Sequence, residues 1–199
     1  MYSRYPIYYY PVARSYPTWT SSSVELNRKL RALWEQHVYW TRLTVNSIVD
    51  GLPDVNATTE RLLRNPDDFA EVLATVYGTA IANEFARLLR EHLTIAAELV
   101  GDLKSGNSEA AADAQRRWYA NADSIADFLG RINPYWSKVE WQHMMYEHLR
   151  LLSDEVSTRI AKDYVKNVAL NDQIETQALG MADMMTSGIV QQFPSNFLS

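Results

Sequence analysis

Arg90-Glu91-His92-Leu93-Thr94-Ile95-Ala96-Ala97-Glu98 decides how this chain is to be read. Apolar side chains return through it at three- and four-residue steps, the period of an amphipathic helix. His92 falls on the apolar side of that helix. Two other stretches repeat the arrangement: Glu35-Gln36-His37-Val38-Tyr39-Trp40 upstream, and Tyr146-Glu147-His148-Leu149-Arg150-Leu151-Leu152 downstream. Each places a histidine just after an acid or amide on an apolar helical face. The pattern predicts an all-α chain built from a recurring unit, with polar groups set into its core.

Working outward, Leu26, Leu30, Leu33, Trp34, His37, Trp40, Thr41, Thr44 and Ile48 keep the helical period. This predicts a first helix with its N-cap in Ser21-Ser22-Ser23 and its end near Asp50, before Gly51-Leu52-Pro53-Asp54. A short helix is expected around Thr58–Arg64, with a fresh start at Asn65-Pro66-Asp67-Asp68, where proline suits the first helical turn. The stripe from Phe69 to Leu99 predicts one long helix over 67–103, or two with a bend at Gly78. Ser108 is expected to cap a helix running to Arg131. Ser137, with Glu140 three residues on, should cap another lasting to Lys166. A last helix is expected over 171–192, before Pro194. No strand-like alternation competes. The expected fold is an up-and-down bundle of about five long antiparallel helices with internal hairpin repeats. It divides into an extended Tyr/Pro arm (1–21), a bundle domain (22–193) and a C-terminal tail (194–199).

Composition narrows the function. With 199 residues the chain suits one domain with a sizeable core. A formal net charge of −5 disfavours nucleic acid as a partner. No apolar run is long enough for a transmembrane segment, and the N-terminus lacks the apolar core of a secretory signal, so a cytoplasmic or spore-associated protein is expected. There are no cysteines, which removes disulfides, thiolate nucleophiles and Cys-based metal sites. Any metal site must draw on four histidines (His37, His92, His143, His148) and on carboxylates. The arm contains Tyr8-Tyr9-Tyr10-Pro11, with further prolines at 6 and 17, and reads first as a flexible tail, with a docking arm for a protein partner or for self-association as the sharper alternative. No glycine-rich phosphate loop, nucleophile elbow or dinucleotide fingerprint is present.

Aligning the histidines also brings a second set of short stretches into register: Asn65-Pro66-Asp67-Asp68-Phe69, Asn121-Ala122-Asp123-Ser124-Ile125 and Met181-Ala182-Asp183-Met184-Met185. Each follows its histidine after a turn, so an antiparallel hairpin would set His37 beside Asp67, His92 beside Asp123 and His148 beside Asp183 at similar depth. Three hairpins of one kind is the simplest description. Burying a polar ring costs about 1–3 kcal/mol unless it is partnered. Either His–Asp hydrogen bonds or a metal ion would meet that demand. Glu155, seven residues after His148, and Glu98, six after His92, are candidate further ligands or orienting groups. The di-iron spacing Glu-x-x-His occurs once, at Glu140 and His143, and reads as a surface pair. The methionines and tryptophans read as packing.

Trp34-Glu35-Gln36-His37-Val38-Tyr39-Trp40-Thr41-Arg42, Glu91-His92-Leu93 and Glu147-His148-Leu149 resemble the Bacillus metalloprotein-like family, uncharacterised bundles of duplicated helical repeats. The likeness covers these stretches in sequence and residues 24–190 in architecture. Position 36 departs from it, with Gln where the other two units have Glu91 and Glu147. The resemblance implies a bundle that holds a metal, iron or another first-row divalent ion, through Glu and His side chains. The expected ligand set is His37, His92 and His148 with Glu91, Glu98, Asp123, Glu147 and Glu155. The alternative expectation is a non-catalytic structural or adaptor protein of a spore or envelope layer, its His–Asp pairs serving as core locks. No reaction is specified by either.

Overall fold

The computed structural model describes residues 19–198, so all but the last three residues of the Tyr/Pro arm lie outside it. Every regular element in the described residues is helical: α1 (Ser21–Asp50), α2 (Val55–Leu62), α3 (Asn65–Tyr77), α4 (Thr79–Ser105), α5 (Ser108–Ile132), α6 (Lys138–Ile160) and α7 (Tyr164–Gln192). Six of these are long, not five. A 3₁₀ turn, Pro194–Phe197, then packs on α1 and α7 where a tail was expected. No helix among the described residues is long and apolar enough to cross a membrane.

The extra helix comes from Gly78. Its φ of 79° and ψ of 163° suit only a residue without Cβ. The expected bend is therefore a full break, and α3 packs back against α4. A second departure lies near residue 162. The expected helix to Lys166 stops at Ile160, because Lys162 takes a left-handed φ of 60°. Asp163 then accepts a hydrogen bond from the Lys166 backbone N–H and starts α7 early. Neither glycine nor proline marks this turn, so the sequence pattern passed over it. At the other ends local chemistry behaves as its residue types suggest. Thr20, one residue before the serines, caps α1 in a reciprocal box with Ser23. Asn107 caps α5, and Ser137 accepts from the Glu140 N–H at the start of α6. Each such cap is worth about 1 kcal/mol.

Neighbouring helices pair along the chain (α3 with α4, α4 with α5, α5 with α6, α6 with α7), and α1 packs on α7, so the bundle closes on itself. One continuous core fills it, including Trp34, Phe69, Phe85, Trp118, Trp141 and Met181. Each such side chain stabilises the fold by about 1.5–3 kcal/mol. Trp136 lies so close to α7 that a Cβ on Gly188 would fall 1.9 Å from its indole nitrogen. That nitrogen donates to the Met184 carbonyl. The histidines sit on α1, α4 and α6, and α1 touches both of the others.

Candidate functional site

His37, His92 and His148 are all buried, at 2–3% exposure. Each ring makes its hydrogen bond through Nδ1 to a side-chain amide on the second helix of its own hairpin. The partners are Asn65 Oδ1 at 3.2 Å, Asn121 Oδ1 at 2.9 Å and Gln177 Oε1 at 2.8 Å. The amide NH₂ groups in turn donate to the carbonyls of Leu33, Leu88 and Met144 at 3.0, 3.2 and 2.9 Å. Each of those carbonyls belongs to the residue four positions before the histidine. One device is thus built three times, with sequence separations between ring and amide of 28, 29 and 29.

This chain of bonds fixes the tautomer. A backbone carbonyl can only accept, so the amide nitrogen faces it and the amide oxygen faces the ring. The ring must then carry its proton on Nδ1, leaving the lone pair on Nε2. The rings are also held neutral. Burial is the main cause that pushes His37 down to about 3, with the neighbouring His148 and His92 adding to it. Burial likewise pushes His92 down to about 3, against the opposing pull of the Asn121 hydrogen bond. His148 is lowered by burial as well. The His37 and His148 rings touch, with centroids 5.7 Å apart.

All three histidines border two small cavities, of about 20 and about 10 Å³. Each has room for roughly one water-sized guest and none for an organic substrate. Thr41, Thr44 and Trp118 border the larger cavity; Trp34 and Trp141 border the smaller. The hydroxyls of Thr41 and Thr44 and the indole N–H groups of all three tryptophans are buried without a hydrogen-bond partner among the described residues. Apolar walls with orphaned donors and three acceptor nitrogens make a polar centre in a dry setting.

The expected carboxylates lie elsewhere. Glu91 and Glu147 each precede a histidine by one residue, about 100° around the helix, and point outward to Arg87 and Arg150. Glu98 pairs with Arg117 on the surface. Glu155, two turns beyond His148, is buried but meets Arg42 at 2.7 Å. The His–Asp pairings are also corrected. Asp123 lies two positions past the true partner, Asn121, on the other side of α5, where it accepts from Gln142 and Tyr146 of α6. Asp67 accepts from Arg90 of α4, and Asp183 from Arg31 and Asn27 of α1. The three aspartates do form a recurring set. They clasp each hairpin to the next, and the last clasp closes the circle. Glu140 and His143 are exposed, as the spacing suggested.

Among the described residues, no three His, Asp or Glu side chains are arranged as placed to hold a metal ion. A surface groove of about 600 Å³ between α4 and α5 contains Arg87, Arg90 and Arg117. Each of those arginines already faces a carboxylate, so the groove offers no unpaired cation to an anionic substrate. The sequence had signalled two of the three amides: Asn65 and Asn121 head the matched stretches. It hid the third, because Gln177 stands four residues ahead of the aligned Met181. No protein-family model, no curated protein and no solved structure matches this chain. The likeness to the Bacillus metalloprotein-like bundles rests on its short motifs alone.

Proposed function

We propose that the protein binds one first-row divalent metal ion at the centre of the bundle, through Nε2 of His37, His92 and His148. The observation that carries this reading is the threefold amide device. It fixes the proton of each imidazole on Nδ1 and the lone pair on Nε2, while burial keeps the rings neutral, which is how a protein prepares histidine for a metal. The carboxylates Glu91, Glu98, Asp123, Glu147 and Glu155 drop out of the ligand set, each being engaged elsewhere. A three-imidazole set suits zinc, copper, nickel or iron more than it suits magnesium or calcium. Gathering the rings on one ion requires the side chains to shift, since among the described residues no three are already placed to hold one. With no space for a substrate beside the rings, the role is metal binding rather than turnover of an organic molecule.

A second reading is that the device is purely structural, closing three hairpins of a scaffold or adaptor whose partners meet residues 1–21. It is favoured by the Nδ1 hydrogen bond of each ring and by the absence, among the described residues, of a three-ligand arrangement. Protein purified without an affinity tag, loaded in turn with Zn²⁺, Co²⁺, Cu²⁺ and Fe²⁺ and dialysed, separates the two. One ion per chain, lost in both His92→Phe and His148→Phe, is the expected result. Substoichiometric metal that ignores both substitutions would leave the scaffold reading standing.

A further inference from the structure

A groove of about 540 Å³ runs between the first turns of α1, the second half of α3 and the closing 3₁₀ turn, and none of the three histidines borders it. Its apolar side chains are Leu26, Val72, Val76 and Phe197. Leu26 belongs to the core, and the other three pack against that core. Glu25 and Glu71 border the same groove. Glu71 has no hydrogen bond or ion pair among the described residues. Glu25 meets Arg28 at 3.5 Å and Lys29, the cation on this rim, at 3.8 Å, both on open surface. The groove thus joins an apolar lining to a carboxylate that nothing else engages.

The chain just upstream has the complementary chemistry. Residues 1–18 contain Arg4 and Arg14 and no acidic residue, and they are rich in tyrosine and proline. The chain enters the described fold at Trp19, and Glu25 follows only six residues later, so the groove lies beside the point where the arm joins the bundle. Arg14 stands five residues before Trp19, which keeps it within roughly 18 Å even when fully extended. Prolines at 11 and 17 restrict the backbone, so such a segment loses less entropy when it settles in an apolar groove. Its covalent attachment supplies an effective concentration on the order of millimolar, so contacts too weak to hold a free peptide suffice.

We propose that this groove is the docking site of the chain's own arm, residues 11–17, with Arg14 against Glu71 and the apolar side chains around it against Val72, Val76 and Phe197. The inference is independent of the metal reading. A protein partner that takes up this segment, as the scaffold reading requires, then has to displace it first, so the groove sets how readily the arm is offered.

The chain contains no cysteine, so Ser15→Cys and Thr79→Cys place two nitroxide labels, one on the arm and one on the exposed start of α4. Pulsed electron paramagnetic resonance is read on the full chain diluted with excess unlabelled protein, so that only labels within one chain are measured. The otherwise native chain should give one short, narrow distance. Glu71→Arg should turn most of that population into a broad, longer distribution. Arg14→Glu/Glu71→Arg should restore the narrow one, a recovery that loss of folding could not mimic. Glu35→Arg, at another groove farther along α1, should change nothing. A broad distribution in the native chain overturns the proposal, as does a narrow distance that survives Glu71→Arg or is lost equally in Glu35→Arg. A narrow distance seen undiluted and lost on dilution assigns the groove to the arm of a second copy and overturns docking within one chain.

Discussion

Two polar centres set into this bundle, one around the three histidines and one around Arg42, solve the same problem in opposite ways. Around His37, His92 and His148 the groups avoid the cost of buried charge by staying neutral. Around Arg42 the charge is kept and matched. Its guanidinium donates to the Glu155 carboxylate at 2.7 Å and to Asn167 Oδ1 at 3.2 Å, while Asn167 donates to the Glu155 backbone carbonyl at 2.8 Å. Burial still pushes the Glu155 carboxyl above its ordinary range, with Arg42 pulling it down. The two centres therefore respond to acid with opposite signs. The histidines take up protons more readily when unfolded, so their contribution is complete above about pH 6.5 and is lost as pH falls toward about 3. Glu155 takes up a proton more readily when folded, so acidification through its raised range favours the native state.

The largest effect should come from acid. His37 and His92 should each cost stability at about 1.4 kcal/mol per pH unit once the pH is well below 6.5, with His148 adding in the same direction. Chemical denaturation at successive pH values reads this slope. His92→Gln should flatten it, and Glu155→Gln should steepen it by removing the opposing contribution. A slope that ignores the histidines would mean that the rings do not stay neutral in the folded chain.

Next in size is the charged centre. Arg42→Ala leaves Glu155 buried and unpaired and should cost about 3–5 kcal/mol near neutral pH, whereas Arg42→Met/Glu155→Leu should recover much of the loss. The deficit of the single variant should shrink as the pH falls and Glu155 takes a proton. A pH-independent deficit would remove the contrast between the two centres.

Asn121→Leu probes one unit of the neutral centre. It strands the His92 Nδ1–H and removes the second donor from the Leu88 carbonyl, for an expected cost of about 1–3 kcal/mol by thermal unfolding. In the metal-free protein His92→Phe/Asn121→Leu should be milder than Asn121→Leu alone, since no polar group is then left bare. The smallest effect belongs to the exposed clasps. Asp183→Asn weakens the contact with Arg31 and should cost under about 1 kcal/mol, less so in high salt.

The sequence made the helices legible because Leu, Ile and Phe keep a 3.6-residue period over long stretches. It also showed the unit of repetition, since a histidine on an apolar face stands out against aliphatic neighbours. What it could not show was which polar residue answered each histidine. Asn65 and Asp67, or Asn121 and Asp123, are two positions apart, about 200° around a helix, and only the packing direction tells which faces inward. Gln177 was harder still. Its additional methylene lets it reach His148 from a position that no alignment by residue type would pick. Lys162 gave no warning either, because lysine has no local preference for the left-handed backbone it adopts there.

The Asp183 clasp has a consequence for how the chain could be rewired. It joins α7 to α1, and the turn at Pro194–Phe197 also rests on α1, so the last hairpin meets the first as each hairpin meets its neighbour. A closed circuit of that kind has no privileged starting point. Joining the two ends of the bundle with a short flexible linker and opening the chain at Gly106, between α5 and the helix before it, should give a circular permutant with the same core. In that permutant His148 would come before His37 and His92 along the chain, and all three would keep their places around the centre.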